Sequence, residues 1–121
     1  MPEKRILLVE DEATTREILT DVLRREGYDV HSVATVGAAT TCLESILYSL
    51  VVADWVLPDG DGTDIADTAA QLGSKTLIVT GYPSDLPAGV ADRHELQSKQ
   101  SGYPEILAAV RRAIGNPEPQ P

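Results

Sequence analysis

Three short runs of branched apolar residues stand out along the chain, and each closes on polar residues. Ile6-Leu7-Leu8-Val9 stops at Glu10-Asp11-Glu12, Leu50-Val51-Val52-Ala53 at Asp54, and Thr76-Leu77-Ile78-Val79 at Thr80-Gly81. Continuous runs of this length read as strands covered on both faces, as in parallel sheets. Residues 28–33 alternate well enough for a further strand, and residues 95–98 for a short one running into Lys99. Helical spacing fills the intervals. Ile18, Val22 and Leu23 share a face opposite Arg16, Glu17, Asp21 and Arg24, and Gly27 stands where a helix-terminating glycine belongs. A second helix is expected over 38–47, a third and weaker one over 65–72, and the last over 104–114 with Pro104 in its first turn. Pro58, Gly60 and Gly62 mark a loop, while Pro83, Pro87 and Gly89 leave room for a short or irregular helix at most in 82–94.

Strands alternating with helices imply βαβ units, hence an α/β fold: a doubly wound parallel sheet of five strands with helices on both faces. The pattern places one domain over residues 1–115 and leaves 116–121 as a proline-rich tail. In open sheets of this kind ligands bind outside the carboxyl ends of the strands. Those ends carry Glu10, Asp11, Asp54, Thr80 and Lys99.

Composition narrows what such an edge can do. The 121 residues hold 19 acidic against 10 basic side chains, a formal charge of −9. Nucleic-acid backbones and anionic membranes are bound by Lys and Arg, so both are poor partners for this chain. The single cysteine, Cys42, excludes a disulfide framework and any multi-cysteine metal site, and is expected to be buried in the second helix. No stretch has signal-peptide or transmembrane character, so the expected setting is soluble and cytoplasmic.

Converging carboxylates repel by about 4 kcal/mol per pair at 4 Å and an effective dielectric near 20. Glu10, Asp11 and Asp54 therefore call for a cation, and hard oxygen ligands with open positions suit Mg²⁺. A hydroxyl and an ammonium across from them can hold phosphoryl oxygens, and one carboxylate can act as nucleophile. These residues point to Mg²⁺-dependent phosphoryl transfer to an aspartate.

With Val52-Ala53-Asp54-Trp55-Val56-Leu57-Pro58, Gly62, Val79-Thr80-Gly81 and Lys99 in this order, the chain resembles the receiver domain of two-component response regulators over residues 4–115. The resemblance implies a flavodoxin-like receiver fold. It makes Asp54 the phosphoacceptor, with Mg²⁺ held by Asp11, Glu10, Asp54 and the backbone carbonyl of Val56. Thr80 and Lys99 would contact the phosphoryl group, and Pro58 and Gly62 would shape the loop after Asp54. Glu12 is expected to cap the first helix, and Trp55 to pack beside the site.

The chain departs from the family pattern at several points. Lys99 is followed by Gln100 where proline is usual, which predicts a trans peptide, because a non-proline cis bond costs about 2.5–4 kcal/mol. Leu96 stands where a switch aromatic is common. Thr80-Gly81-Tyr82 with Leu86-Pro87 resembles an atypical subgroup in which Tyr82 would serve the switch with Thr80. Val56 and Tyr82 occupy the positions that tune hydrolysis in this family, and neither orients water well, so slow self-dephosphorylation is expected.

Weaker signals have plainer readings. Asp59-Gly60-Asp61-Gly62-Thr63 matches the nucleophile motif of haloacid-dehalogenase-like phosphatases, yet it lies mid-chain after Pro58. Asp59, Asp61 and Asp64 read as a polar turn, His94 as a surface residue, and Arg111-Arg112 as a solvated helix face. The resulting expectation is a single-domain response regulator that is not a turnover enzyme. It would take its phosphoryl group from a sensor histidine kinase or histidine phosphotransfer protein, and pass the signal to a downstream protein as a monomer or phosphorylation-linked dimer. The alternatives are a receiver-fold binding module with vestigial phosphorylation and the phosphatase.

Overall fold

The computed structural model describes residues 4–117. Arg5–Val9 (β1), Asp29–Val33 (β2), Leu50–Asp54 (β3), Lys75–Thr80 (β6) and Glu95–Ser98 (β7) form one sheet in the order β2-β1-β3-β6-β7. Every neighbouring pair in it is parallel. This is the doubly wound, flavodoxin-like arrangement expected. The chain leaves β1 toward β2 on one side and returns to β3 on the other, so the order reverses between β1 and β3. That reversal is where such sheets open a crevice at their carboxyl edge.

Two-residue alternation divides the core. Ile6, Leu8, Leu50, Val52, Leu77 and Val79 face one side, where Leu19 and Leu23 of α1 (Ala13–Arg25) and Ile106 and Val110 of α5 (Tyr103–Ile114) cover them. Leu7, Val9, Val51 and Ala53 face the other, under Ala39 and Leu43 of α2 (Val36–Ser45) and Ile65 and Ala69 of α3 (Gly62–Gln71). Each large aliphatic side chain so buried contributes about 1.5–3 kcal/mol. A smaller cluster of Ala66, Ile78 and Val90 takes Trp55, Leu86 and Leu96 against it.

Helix boundaries follow caps more than periodicity. Glu12 caps α1 by accepting from the backbone N–H groups of Thr14 and Thr15, and Gly27, at φ +104°, ends it as expected. α2 covers 36–45 rather than 38–47, because Thr35 caps its start and Ile46 is already extended. Leu47 is therefore outside the helix and exposed. α3 begins three residues early, at Gly62, because Asp61 caps it by accepting from Thr63 N–H. α5 begins at Tyr103, one residue before Pro104. Between Thr80 and β7 there is only a 3-10 turn at Pro83–Asp85 and a single helical turn, α4 (Val90–Arg93). Gly102 and Gly89 take left-handed φ angles at the entries to α5 and α4.

The proline-rich tail lies partly within the described residues. Tyr28 Oη donates to the Gly115 carbonyl at 2.7 Å, and Pro117 sits against Gly27. Residues 118–121 of the tail, and 1–3 at the start, lie outside the described residues. No helix among the described residues is long and apolar enough to cross a membrane.

Candidate functional site

The carboxyl edge of β1, β3 and β7 brings four of the expected residues together. Glu10 ends the β1 strand path, and its N–H donates to the Val33 carbonyl of β2 at 3.0 Å. Asp54 is the last residue of β3 and is 9% exposed, while Glu10 is 2% exposed and Asp11 stands open to solvent. One carboxylate oxygen from each of Glu10, Asp11 and Asp54 can lie within 4.8 Å of the others. Lys99 reaches in from the end of β7: its Nζ donates to Glu10 Oε1 at 2.8 Å and to Asp54 Oδ2 at 2.9 Å.

Burial sets the electrostatics of this cluster. Desolvation pushes the Glu10 carboxyl above its ordinary pKa, the nearby Asp54 charge adds to this, and the hydrogen bonds from Lys99 and Glu12 N–H only partly oppose it. Burial also works against the charge on Lys99, but its bonds to Glu10 and Asp54 outweigh that, so its pKa rises. A single ammonium thus offsets two buried carboxylates, and Asp11 is left outside its hydrogen bonds. Three oxygen-donor side chains, one of them exposed, form a site that a small hard cation fits.

Lys99 itself lies in a 3-10 turn, Lys99–Ser101, capped by Ser98 Oγ, which accepts from Gln100 N–H at 3.1 Å. The Lys99–Gln100 peptide is trans, as expected without proline. The lysine reaches the acids from this turn without the usual Lys-Pro geometry.

The loop after Asp54 is built by close backbone approach. Val56–Leu57 (β4) and Gly60–Asp61 (β5) pair as a two-residue antiparallel hairpin, a feature absent from the sequence reading of a plain loop. Gly62 N–H donates to the Trp55 carbonyl at 2.8 Å, and a Cβ on Gly62 would fall 1.9 Å from the Asp54 carbonyl oxygen. Only glycine fits there. Asp59 and Asp61 are not merely turn residues. Asp59 accepts from the N–H groups of Val36 and Gly37, which hold its carboxyl below the usual range, and so ties this loop to the start of α2. Both aspartates of the Asp-x-Asp-x-Thr match are therefore occupied as helix caps.

The remaining expected residues divide. Thr80 is buried at the end of β6, and its Oγ1 accepts from Tyr82 N–H at 3.1 Å. Tyr82 points outward at 67% exposure, and Val56 is likewise 64% exposed. Leu96 is half-buried on β7 and packs with Trp55 and Leu86 over Ala66, Ile78 and Val90. Trp55 thus lies beside the site as expected.

Two features escaped the sequence reading. His94 is buried, at 4% exposure, not a surface residue. Its Nε2–H donates to Asp67 Oδ1 at 2.6 Å, and its Nδ1 lies 2.6 Å from Thr76 Oγ1. Arg93 Nε donates to the same Asp67 oxygen at 3.1 Å. This knot fastens α3, β6 and the entry to β7. Only the tertiary approach of α3 to the residue before β7 makes it, and no local pattern signals it. Arg16 is the second: its side chain donates to the backbone carbonyls of Glu10 and Asp11. Cys42 is half-buried rather than fully enclosed, and Arg111 and Arg112 pair with Glu26 and Glu95.

Comparison with known proteins agrees with this geometry. The family model described as the response regulator receiver domain matches residues 6–92. The chain is 33% identical over 81 residues to the response regulator receiver protein CpdR of Brucella abortus, covering 65% of this chain and 68% of that protein. It is 29% identical over 122 residues to the DNA-binding response regulator MtrA of Mycolicibacterium smegmatis, covering 98% of this chain but 54% of that one. The chain therefore spans about half the length of that regulator. The response regulator TrrA of Thermotoga maritima, solved in complex with Mg²⁺-BeF, superposes with a TM-score of 0.76 at 29% identity over 92% of this chain and 99% of that one. The structure of the histidine kinase ThkA in complex with TrrA matches with a TM-score of 0.80 at 26% identity, over 92% of this chain and 98% of that one.

Proposed function

Because the chain belongs to the response regulator receiver family of two-component signalling, we propose that Asp54 accepts a phosphoryl group from a phosphohistidine of a sensor kinase or histidine phosphotransfer protein. The observation that carries this reading is the double engagement of Lys99, whose ammonium joins Glu10 and Asp54 at the carboxyl edge of the sheet. An Asp54 oxygen attacks phosphorus, the new O–P bond forms as the P–N bond breaks, and the electron pair leaves on the imidazole nitrogen. Lys99 is placed to pass from the carboxylates to an incoming phosphoryl oxygen. Thr80 Oγ1 accepts from Tyr82 N–H and keeps its own O–H proton to donate to a second oxygen. Glu10, Asp11, Asp54 and the Val56 carbonyl would hold Mg²⁺, which when bound neutralises charge on the phosphoryl oxygens.

The protein takes part in phosphotransfer and is not a turnover enzyme, and its setting is cytoplasmic. Its output passes through protein contacts, on the face formed by α4, β7 and α5. Support for a kinase partner comes from TrrA, whose complex with ThkA involves a receiver of the same fold. The test is incubation with acetyl phosphate and Mg²⁺, read by intact mass. One added phosphoryl group is expected, absent without Mg²⁺ and absent in Asp54→Asn. No adduct under any condition would favour a binding module whose phosphorylation is vestigial. Phosphate release with turnover that is lost in Asp59→Asn would favour the phosphatase.

A further inference from the structure

We infer that Arg16 is a positioning residue for the cation site: its guanidinium fixes the Glu10–Asp11 turn that presents the exposed carboxylate of Asp11. The inference rests on the metal-assisted reading above. It starts from an inequality among the three acids. Glu10 is held by Lys99 and by Glu12 N–H, which donates to its Oε2 at 3.2 Å, and Asp54 is held by Lys99. The Asp11 carboxylate accepts no hydrogen bond from the described residues. What the fold fixes of it is its Cα–Cβ direction.

That backbone belongs to a short turn. β1 ends at Val9 and α1 begins at Ala13, so Glu10, Asp11 and Glu12 make the whole connection. Arg16 stands one helical turn into α1, its own N–H donating to the Glu12 carbonyl at 2.9 Å. From there Nη1 reaches back to the Glu10 carbonyl at 3.0 Å and the Asp11 carbonyl at 3.4 Å. One nitrogen shared by two successive carbonyls restrains the peptide between them, and with it the Cα–Cβ direction of Asp11. Outer-shell contacts of this kind orient metal ligands that touch nothing else.

The sign of the effect separates positioning from simple charge. Arg16 is a cation bonded to the backbone of two of the three acids, so on Coulombic grounds removing it should, if anything, tighten Mg²⁺. If it positions Asp11, removing it should weaken Mg²⁺. Trp55, the chain's one tryptophan, follows Asp54 directly and is the probe. Mg²⁺ titration of Trp55 fluorescence in the full chain is expected to show about 10-fold weaker binding in Arg16→Gln than in wild type, the low end for an outer-shell partner. Arg16→Lys keeps the charge, but its ammonium stands one bond nearer the backbone than Nη1 and on a freer stem, so it should lie between the two. Thermal unfolding without Mg²⁺ verifies that each variant is folded. Arg16→Gln binding Mg²⁺ as tightly as wild type, or more tightly, overturns the inference. So does Arg16→Lys indistinguishable from wild type, which also decides the matter should Arg16→Gln not fold. Wild type showing no saturable Mg²⁺ response overturns the cation-site reading itself.

Discussion

Gly62 and Asp54 meet backbone to backbone: a Cβ on Gly62 would fall 1.9 Å from the Asp54 carbonyl oxygen and 2.9 Å from its carbon. The α3 N-terminus is pressed onto the residue proposed to accept the phosphoryl group, and backbone cannot yield as a flexible side chain can. Gly62→Ala is expected to cost about 1–3 kcal/mol by overpacking and to displace Asp54. Urea unfolding with acetyl phosphate labelling should show both effects, with labelling falling more than stability alone explains. Unchanged labelling would show that the contact relaxes elsewhere.

Lys99 offsets two buried carboxylates, so its loss acts oppositely on the free and cation-bound protein. Lys99→Met should destabilise the metal-free fold by about 2 kcal/mol, the scale of a hydrogen bond to a charged group, yet bind Mg²⁺ more tightly while accepting phosphate poorly. The pH dependence follows from the raised Lys99 pKa. Its contribution is complete below the unfolded value of 10.5 and is lost as pH rises through the higher folded value. Wild-type thermal midpoints should therefore fall at alkaline pH, and those of Lys99→Met should fall less.

The buried His94 knot is a stability element with its own pH signature. His94→Ala leaves Thr76 Oγ1 without its partner and Asp67 with Arg93 alone, and should cost about 2 kcal/mol in urea unfolding. The hydrogen bond from His94, and next those from Arg93, hold the Asp67 carboxyl below its ordinary value of 3.8. A depressed acid stabilises above the unfolded pKa, and that stability is lost as pH falls through the lower folded value. Asp67 is partly exposed, so the effect should be modest. Acid unfolding curves of Asp67→Asn should fall less steeply below pH 3.8 than those of wild type.

Val56 and Tyr82, two residues after Asp54 and Thr80, both project outward, and neither is expected to orient water well at the proposed acceptor. Phosphorylated protein kept apart from partners should therefore lose its phosphoryl group over minutes or longer. Val56→Asn should shorten that time by supplying a polar group. Intact-mass time courses measure both, and decay of the wild type within seconds would refute the expectation.

The strands, their parallel pairing and the acids at their ends were legible because they follow from local rules. A buried run of branched residues has one common use, and an acid at its end is costly unless used. Glu12 as a cap and Gly27 as a helix stop were legible for the same reason. α2 was misplaced by two residues because Thr35 and the carboxylate of the distant Asp59 set its start. His94 was misjudged because histidine shows no burial preference strong enough to reveal a partner on α3. Arg16 looked like one more solvated charge on α1, since nothing local tells which way a long side chain turns back.

By itself, then, the sequence determined the α/β class, the edge of the sheet that carries the chemistry, and the residues Glu10, Asp11, Asp54, Thr80 and Lys99 gathered near it, because hydrophobic periodicity and strand-end position are short-range properties. Tertiary structure alone decided how the distant ones meet: Lys99 bridging Glu10 and Asp54, and α3 seated so that Gly62 presses on Asp54. Contacts between residues far apart in the chain depend on how helices seat against the sheet, and that seating is settled by the packing of the whole core.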